Sequence, residues 1–310
     1  MLHMFCFWVA VTFLNPLCGL QRMALIIARY GELFLKGANQ SFFERLLRQN
    51  IQLKLPQTKV WKGRGRVFLE AERAERLREV FGLTSYSRCV RTAADLEKIK
   101  VAAVELLSGK KGTFKVETTR SDKRFPLTSP EINKEVGRYV EEQTQLRFAF
   151  KDPEMVLEIE INQEGAFLFT ERAACLGGMP TGVEGSVLLL VEHEASLLAG
   201  ILMMKRGCYV LPVAFEEKDI SLLQRFSPKK FDLKLMKDMA EIEKMAAEKK
   251  IAVLVVGQQW DDYTPVETRL TVLRPLVGYG EGRVEEEWGR FTGKNRNLSG
   301  QARHLTLNKT

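Results

Sequence analysis

A chain of 310 residues, 45% apolar and 28% charged, is long for a single core and has the composition of a soluble globular protein, so two or three domains are expected. Its net charge of +8 is carried by the first half: residues 23–175 hold 27 Lys and Arg against 21 Asp and Glu, whereas residues 176–310 hold 19 against 18. A polyanion such as RNA is therefore a natural partner for the first half, although a solvated, mildly basic surface has the same composition. Cys6, Cys18, Cys89, Cys175 and Cys208 show no CxxC spacing, and His3, His193 and His304 lie far apart. This scatter points to neither a zinc site nor a disulfide framework and fits a reducing, cytoplasmic setting.

Residues 1–22 contain an apolar run from Met4 to Leu14 that ends at Asn15-Pro16. It is short of the roughly 20 apolar residues a membrane span needs. It also has no Lys or Arg before it and no small-x-small cleavage site after it. The expectation is that the chain begins at Met23, that residues 1–22 are an over-extended reading frame, and that no membrane is involved. From Met23, "ALIIARYG" reads as a strand, "NQSFFERLLRQNIQLKL" as a helix capped by Asn39, and "KVWKGRGRVFLEA" as a strand. "ERAERLREVFG" reads as a short helix closed by Gly82, which makes residues 23–83 a ferredoxin-like unit.

Residues 84–175 repeat the cycle: strand "YSRCVRTA", helix "DLEKIKVAAVELLSG", strand "GTFKVETTRS" and helix "SPEINKEVGRYVEEQT". In that last helix Ser129 is placed as N-cap with Pro130 at the first helical position. A hairpin, "MVLEIEINQEGAFLFTER", turns at Gln163 to Gly165. The glycine-rich stretch 176–185 reads as a linker. Residues 186–292 alternate strand and helix, with "FDLKLMKDMAEIEKMAAEKK" as one helix, and predict a doubly wound parallel sheet. The polar tail 293–310 is expected to be disordered. The predicted class is thus a multi-domain α/β chain.

Four strings, "RYGELFLKGANQSFFE", "GTFKVETTRSDKRFPLTSPEINKEVG", "LGGMPTGVEGSVLLL" and "MMKRG", resemble the 4-thiouridine tRNA sulfurtransferase (ThiI) family, in order from about Ala24 to Phe291. The second string resembles a THUMP domain. The resemblance implies a ferredoxin-like domain and a THUMP domain that bind the tRNA acceptor arm and its 3′ end, followed by a PP-loop ATPase domain that adenylates a uridine for thiolation. In the THUMP-like segment the alternation of "TFKVETTR" places Lys115, Glu117 and Thr119 on one face and Phe114, Val116 and Thr118 on the other. The candidate RNA-binding residues are Lys110, Lys111, Lys115, Arg120, Lys123 and Arg124, with Lys134 and Arg138 one turn apart on the next helix extending the same surface. Lys62, Arg64 and Arg66 of "WKGRGR", at every second position, form a second, weaker patch, and Lys36 completes the set. An ordinary charged sheet edge has the same pattern, and periodicity alone does not separate the two.

The strand-turn-helix at residues 186–206 is where the family carries SGGxDS, whose glycines free backbone N–H groups to cradle the pyrophosphate end of ATP. Here the turn reads Val191, Glu192, His193, Glu194, Ala195 and Ser196, and only the serine survives an ungapped alignment. Two carboxylates roughly 4 to 6 Å from a polyphosphate each cost on the order of 1 kcal/mol or more. A second family signature reads "QQWDDYTPVETR" here, "GEGRVEEEW" replaces the Asp-Lys after the retained Arg274-Pro275-Leu276, and no cysteine follows Cys208. No rhodanese domain is expected. The leading expectation is a cytoplasmic, non-catalytic tRNA-binding protein on a degenerate PP-loop scaffold, without cofactor. The alternative is a sulfurtransferase with an altered or partner-completed site that uses ATP and Mg, with His193 as base beside Glu192 or Glu194. A partner tRNA-modification enzyme and a homodimer paired through the "LLAGILMM" helix are left open.

Overall fold

The computed structural model of the chain describes residues 24–63 and 65–293. The expectations for residues 1–22, for Arg64 and for the tail beyond Gly293 lie outside the described residues. The first sheet is built on β1 (Ala24–Tyr30), whose run of apolar residues reflects burial on both faces. Ile26, Ala28 and Tyr30 point to one side, where α1 (Gln40–Lys54) packs through Leu47 and Ile51. Ile27 and Arg29 point to the other. The segment 59–71 is not one strand but the hairpin β2 (Lys59–Gly63) and β3 (Arg66–Ala71). The short helix expected after it is a 3-10 turn, Glu75–Glu79.

The expected strand "YSRCVRTA" is split. β4 (Leu83–Arg88) completes the first sheet against β1, and β5 (Val90–Thr92) belongs to a second sheet. The break falls at Cys89, whose N–H donates to the Leu25 carbonyl at 2.9 Å and ends the pairing with β1. The second sheet then gathers α2 (Leu96–Leu107), β6 (Thr113–Arg120), α3 (Ser129–Gln143), β7 (Arg147–Phe148), β8 (Met155–Asn162) and β9 (Gly165–Phe169) in the order β5-β9-β8-β6-β7. Both helices lie on one face, closing a core of Ile99, Leu107, Phe114, Val116, Ile132, Val136 and Ile159. The N-cap of α3 is Thr128, not Ser129: the Thr128 N–H and hydroxyl both donate to Glu131 Oε2 at 2.7 Å, in a capping box that fixes the helix start one residue earlier.

The other face of this sheet meets the first sheet. Register pairs Glu160 with Phe167 and Glu158 with Phe169, so these four side chains project toward β1 and β3. Phe68 stacks on Phe167 with ring centroids 4.8 Å apart, and Ile27 and Phe169 fill the same small cluster. Within it Glu160, 7% exposed, accepts from Arg29 Nε at 2.7 Å and from Arg66 Nε at 3.0 Å. Arg29 also donates to Ser87 Oγ at 3.0 Å and stands over the Phe169 ring at 4.6 Å.

From β9 the chain returns to the first sheet as β10 (Ala173–Ala174), pairing with β4. The glycine-rich stretch that follows is tied by hydrogen bonds to the elements on both sides of it. The Gly82 N–H donates to the Gly177 carbonyl and the Gly177 N–H to the Leu83 carbonyl, the Met179 N–H reaches the Lys205 carbonyl, and Asn50 donates to the Thr181 carbonyl at 2.9 Å. At Gly178 (φ +79°) a Cβ would lie 2.4 Å from the Lys205 carbonyl oxygen, which requires glycine there.

The third sheet contains β11 (Ser186–Leu190), β12 (Tyr209–Ala214), β13 (Lys234–Leu235), β14 (Val253–Val255) and β15 (Thr271–Leu273), all parallel, in the order β13-β12-β11-β14-β15. α4 (Glu194–Lys205), α5 (Ser221–Phe226) and α7 (Glu281–Thr292) cover one face and α6 (Met239–Lys249) the other. The expected long helix 231–250 begins only at the Asp238 N-cap, because Lys234–Leu235 is taken up as an edge strand on β12. α4 is buried from Ala195 to Met204, and Gly200 lets it sit directly on Leu189 and Leu223. That burial corrects the notion of "LLAGILMM" as a dimer contact: its apolar surface is spent inside the domain. No described helix is long and apolar enough to cross a membrane.

Burial by itself raises the Glu160 carboxyl, but Arg29 and Arg66 overcome it and hold the group below its ordinary value. A depressed carboxyl contributes stability above the unfolded value of about 4.3, and that contribution is lost as pH falls through the folded value. Glu160→Gln leaves the buried Arg29 and the half-buried Arg66 without their anion and should cost about 3 to 5 kcal/mol at pH 7. The gap in thermal midpoint between parent and variant should close as pH drops from 6 to below 4. A gap that stays constant over that range would contradict the assignment.

Candidate functional site

The candidate basic residues fall into separate groups. Arg120 closes β6 on its helix-facing side and donates to the Phe125 carbonyl at 2.6 Å. Buried Phe125 anchors the loop 121–128 that leads into α3. On that loop Lys123 is exposed with no ion-pair partner among the described residues, and Arg124 is exposed while gripping Asp122 at 2.7 Å. That pair pulls the Asp122 carboxyl down to about 2, chiefly through the hydrogen bonds from Arg124. Lys134 is likewise exposed and unpaired among the described residues one turn into α3, and Arg138 bridges Glu135 and Glu142. Arg120, Lys123, Arg124, Lys134 and Arg138 thus share the side of the domain occupied by α3 and the loop before it.

The other candidates lie elsewhere. Lys110 and Lys111 precede β6 at its opposite end, Lys110 donating to Thr170 Oγ1 at 3.2 Å. Lys115 is on the face away from α3, because Phe114 and Val116 take the helix side, and it pairs with Glu117 at 2.7 Å. Lys134 and Arg138 therefore do not extend the Lys115 surface: the sheet itself stands between them. Arg66 is committed to Glu160 and to the Gly65 carbonyl, which makes it part of the joint between the sheets. Arg64 and the Lys36 side chain lie outside the described residues. The structure adds Phe150, beside Lys115 and absent from the sequence candidates, whose only sequence signal is an aromatic residue set between bases in "RFAFK".

At the end of β11 the chain runs extended into α4, with His193 as N-cap at φ −150° and ψ −179°. Among the described residues only Asp152 and Lys250 have positive φ outside glycine, so the turn contains no left-handed residue. Val191 is buried and donates to the Val213 carbonyl at 2.8 Å. Ser196, fully buried, turns its hydroxyl back into the turn and accepts from the N–H groups of Glu192 at 3.2 Å and His193 at 3.4 Å. Gly257, just beyond β14, lies against the backbone of Ala195 and Ser196, where a Cβ would stand 2.4 Å from the Ser196 nitrogen. Glu192 and His193 project to solvent, Glu194 is half-buried, and Ala195 is buried.

All five strands end at this edge of the parallel sheet, the edge at which doubly wound folds bind ligands. Its remaining loops carry Phe215 after β12 and Trp260, Asp261 and Tyr263 after β14, all without helix or strand. Arg274 of the retained Arg-Pro-Leu element does not point into an open pocket. It donates to Gln258 Oε1 at 2.9 Å and stands 4.7 Å over the Tyr263 ring, pinning the 258–264 loop. No group of His, Cys, Asp and Glu able to hold a metal is present among the described residues.

The ThiI ferredoxin-like domain model matches residues 25–87 and the THUMP domain model residues 93–171. A probable tRNA sulfurtransferase from Moorella thermoacetica is 40% identical over 201 residues, covering 61% of this chain and 52% of the relative. One from Alkaliphilus metalliredigens is 39% identical over 199 residues, covering 59% and 50%. The chain thus spans about half the length of the curated relatives it matches. A crystal structure from Pyrococcus horikoshii Ot3 superimposes with TM-score 0.78 at 28% identity, covering 88% of this chain and 100% of that one. A 4-thiouridine synthetase crystallised with RNA and bound ATP shares the fold, with TM-score 0.70 at 24% identity, covering 89% and 88%. The chain therefore carries a ThiI ferredoxin-like domain and a THUMP domain, similar to those of tRNA sulfurtransferases, followed by a parallel-sheet domain.

Proposed function

We propose that this chain binds tRNA through its ferredoxin-like and THUMP domains, at the acceptor arm and 3′ end, and that its parallel-sheet domain serves as a scaffold without ATP-dependent thiolation. The observation that carries the first half of the reading is the basic surface at the entry to α3, where Lys123 and Lys134 are exposed and unpaired among the described residues and Arg124 presents an open guanidinium edge. Unpaired surface ammonium groups lose little on meeting phosphate, and the released counterions make such binding steeply salt-dependent.

The second half rests on the turn after β11. A phosphate cradle needs consecutive N–H groups with nothing in front of them. Here the N–H groups of Glu192 and His193 are directed at the Ser196 hydroxyl, the backbone at Gly257 closes one side, and Glu192 adds an exposed carboxylate to the turn itself. These residues do not fit a triphosphate, so no reaction step is assigned to one. A homodimer or a partner tRNA-modification enzyme is compatible with this reading and is required by none of its contacts.

Charge reversal at Lys123 and Lys134 together should weaken tRNA binding and make the log-log salt dependence shallower, by about 0.9 for each phosphate no longer neutralised on double-stranded RNA, taking duplex DNA as the guide. Fluorescence anisotropy over a salt series would read both, and a double variant that binds like the parent would refute the surface. Calorimetric titration with ATP and magnesium to millimolar concentration should give no saturable heat. Replacing the turn together, Val191→Ser, Glu192→Gly, His193→Gly, Glu194→Ile and Ala195→Asp, should introduce nucleotide binding without thiolation. Saturable binding of ATP to the parent would instead favour the sulfurtransferase with an altered site.

A further inference from the structure

β7 is the edge strand of the second sheet, paired to β6 through Thr113 with Arg147 and Phe114 with Phe148. Phe148 behaves as an edge residue should: it covers Gly137 and meets Phe114 edge-on at 5.9 Å. Phe150, two residues later, does not. It is 74% exposed, and the Lys115 ammonium stands 5.2 Å from the ring centroid. An exposed phenyl ring stabilises no core, and a lysine held over it is a weak surface contact.

The position of the ring is set by the fold. The contacts from the first sheet reach the outer face of this sheet at β8 and β9, through Glu160, Phe167 and Phe169, and leave the β6 and β7 end uncovered. Lys115 stands over the ring, Lys151 follows it in the chain, and Arg147 lies on the same sheet edge, paired with Thr113. Arg147 is brought beside Lys111 by its N–H bond to the Gly112 carbonyl at 3.1 Å. The nearby acids are Glu117, which is bound to Lys115, Glu154, which lies against Gly112 and Thr113, and Asp152. The cations are therefore largely balanced, so this edge is a poor phosphate clamp by charge alone. What it offers is an open π-face with cationic groups at its margin, the combination on which unpaired bases stack.

We infer that Phe150 is a stacking platform for an unpaired nucleotide base of the bound RNA, with Lys115 backing the ring and Arg147 or Lys151 meeting the adjoining phosphate. The inference rests on the RNA-binding reading above but concerns a different surface from the loop before α3. A base stacked within a duplex has no free face, so the platform distinguishes an RNA with a single-stranded end from a blunt one. Stacking releases no counterions, so its share of the affinity is insensitive to salt.

The test uses the full chain and two RNAs, a hairpin with an unpaired 3′ overhang and the same hairpin blunt-ended, over a salt series. Phe150→Leu should bind the overhang RNA about five- to a hundredfold more weakly at every salt concentration, with the salt slope unchanged, and should bind the blunt RNA like the parent. Phe150→Trp should retain overhang binding, and its emission should be quenched by the overhang RNA more than by the blunt one. Because Phe150 is exposed, both variants should keep the parental melting temperature. Equal overhang binding by Phe150→Leu, or equal loss on both RNAs, would overturn the platform while leaving RNA binding intact. A parent that binds neither RNA would overturn the RNA-binding reading and the platform with it.

Discussion

A single carboxylate, Glu160, sits between two guanidiniums at the joint of the first two sheets, and the placement of every surface in the first half of the chain depends on it. Its partners come from β1 and β3, strands far from it in sequence, and all three residues meet in a cluster of Ile27, Phe68, Phe167 and Phe169. The aromatic stack supplies area but little directionality. A buried carboxylate, by contrast, is tolerated only when both of its oxygens find donors, so it admits essentially one relative placement of the two sheets. The same requirement fixes which strands are covered and which are left open.

That placement separates the basic groups by function. Arg29, Arg66 and Arg172 are drawn toward Glu158 and Glu160, where they serve the joint between sheets. Lys123 and Lys134 stay on the far side with the helices, and Lys115 stays at the uncovered edge with Phe150. An excess of positive charge in the first half of the chain is thus partly structural and only partly a surface available to a polyanion. Lys54 illustrates the structural share in another place. It is buried between α1 and the carbonyls of Gln224 and Arg225, with burial pushing its ammonium down to about 8 against the pull of Glu79.

In the third domain the scaffold and the turn obey different constraints. α4 is held by apolar contact along its length, so its position does not depend on what the turn before it binds. The turn has only to satisfy its own N–H groups, which a buried serine hydroxyl does from four and three residues away. On the proposed reading this is how a doubly wound fold persists around a site that no longer receives a nucleotide: the free energy of the fold lies in the helices and strands, and the turn needs hydrogen bonds but no ligand.

The amino-acid sequence by itself determined the elements whose signals are local. The alternation of "TFKVETTR", the strand-turn-helix at 186–206 and the parallel αβ alternation after it all follow from side-chain periodicity, which each segment carries within itself. The family motifs were legible for the same reason. Where a boundary depends on a competing local bond, the element starts a residue away from where propensity puts it, as at the Thr128 cap, where the Glu131 carboxylate decides the outcome. Only the tertiary structure decided that "YSRCVRTA" serves two sheets, that Arg66 faces inward, that Lys115 and Lys134 lie on opposite sides of one sheet, and that Phe150 is left uncovered. Each of these depends on a partner that is distant in sequence. A charge reads the same along the chain whether it will meet water, RNA or a buried carboxylate, and only the packing of one sheet on another distinguishes them.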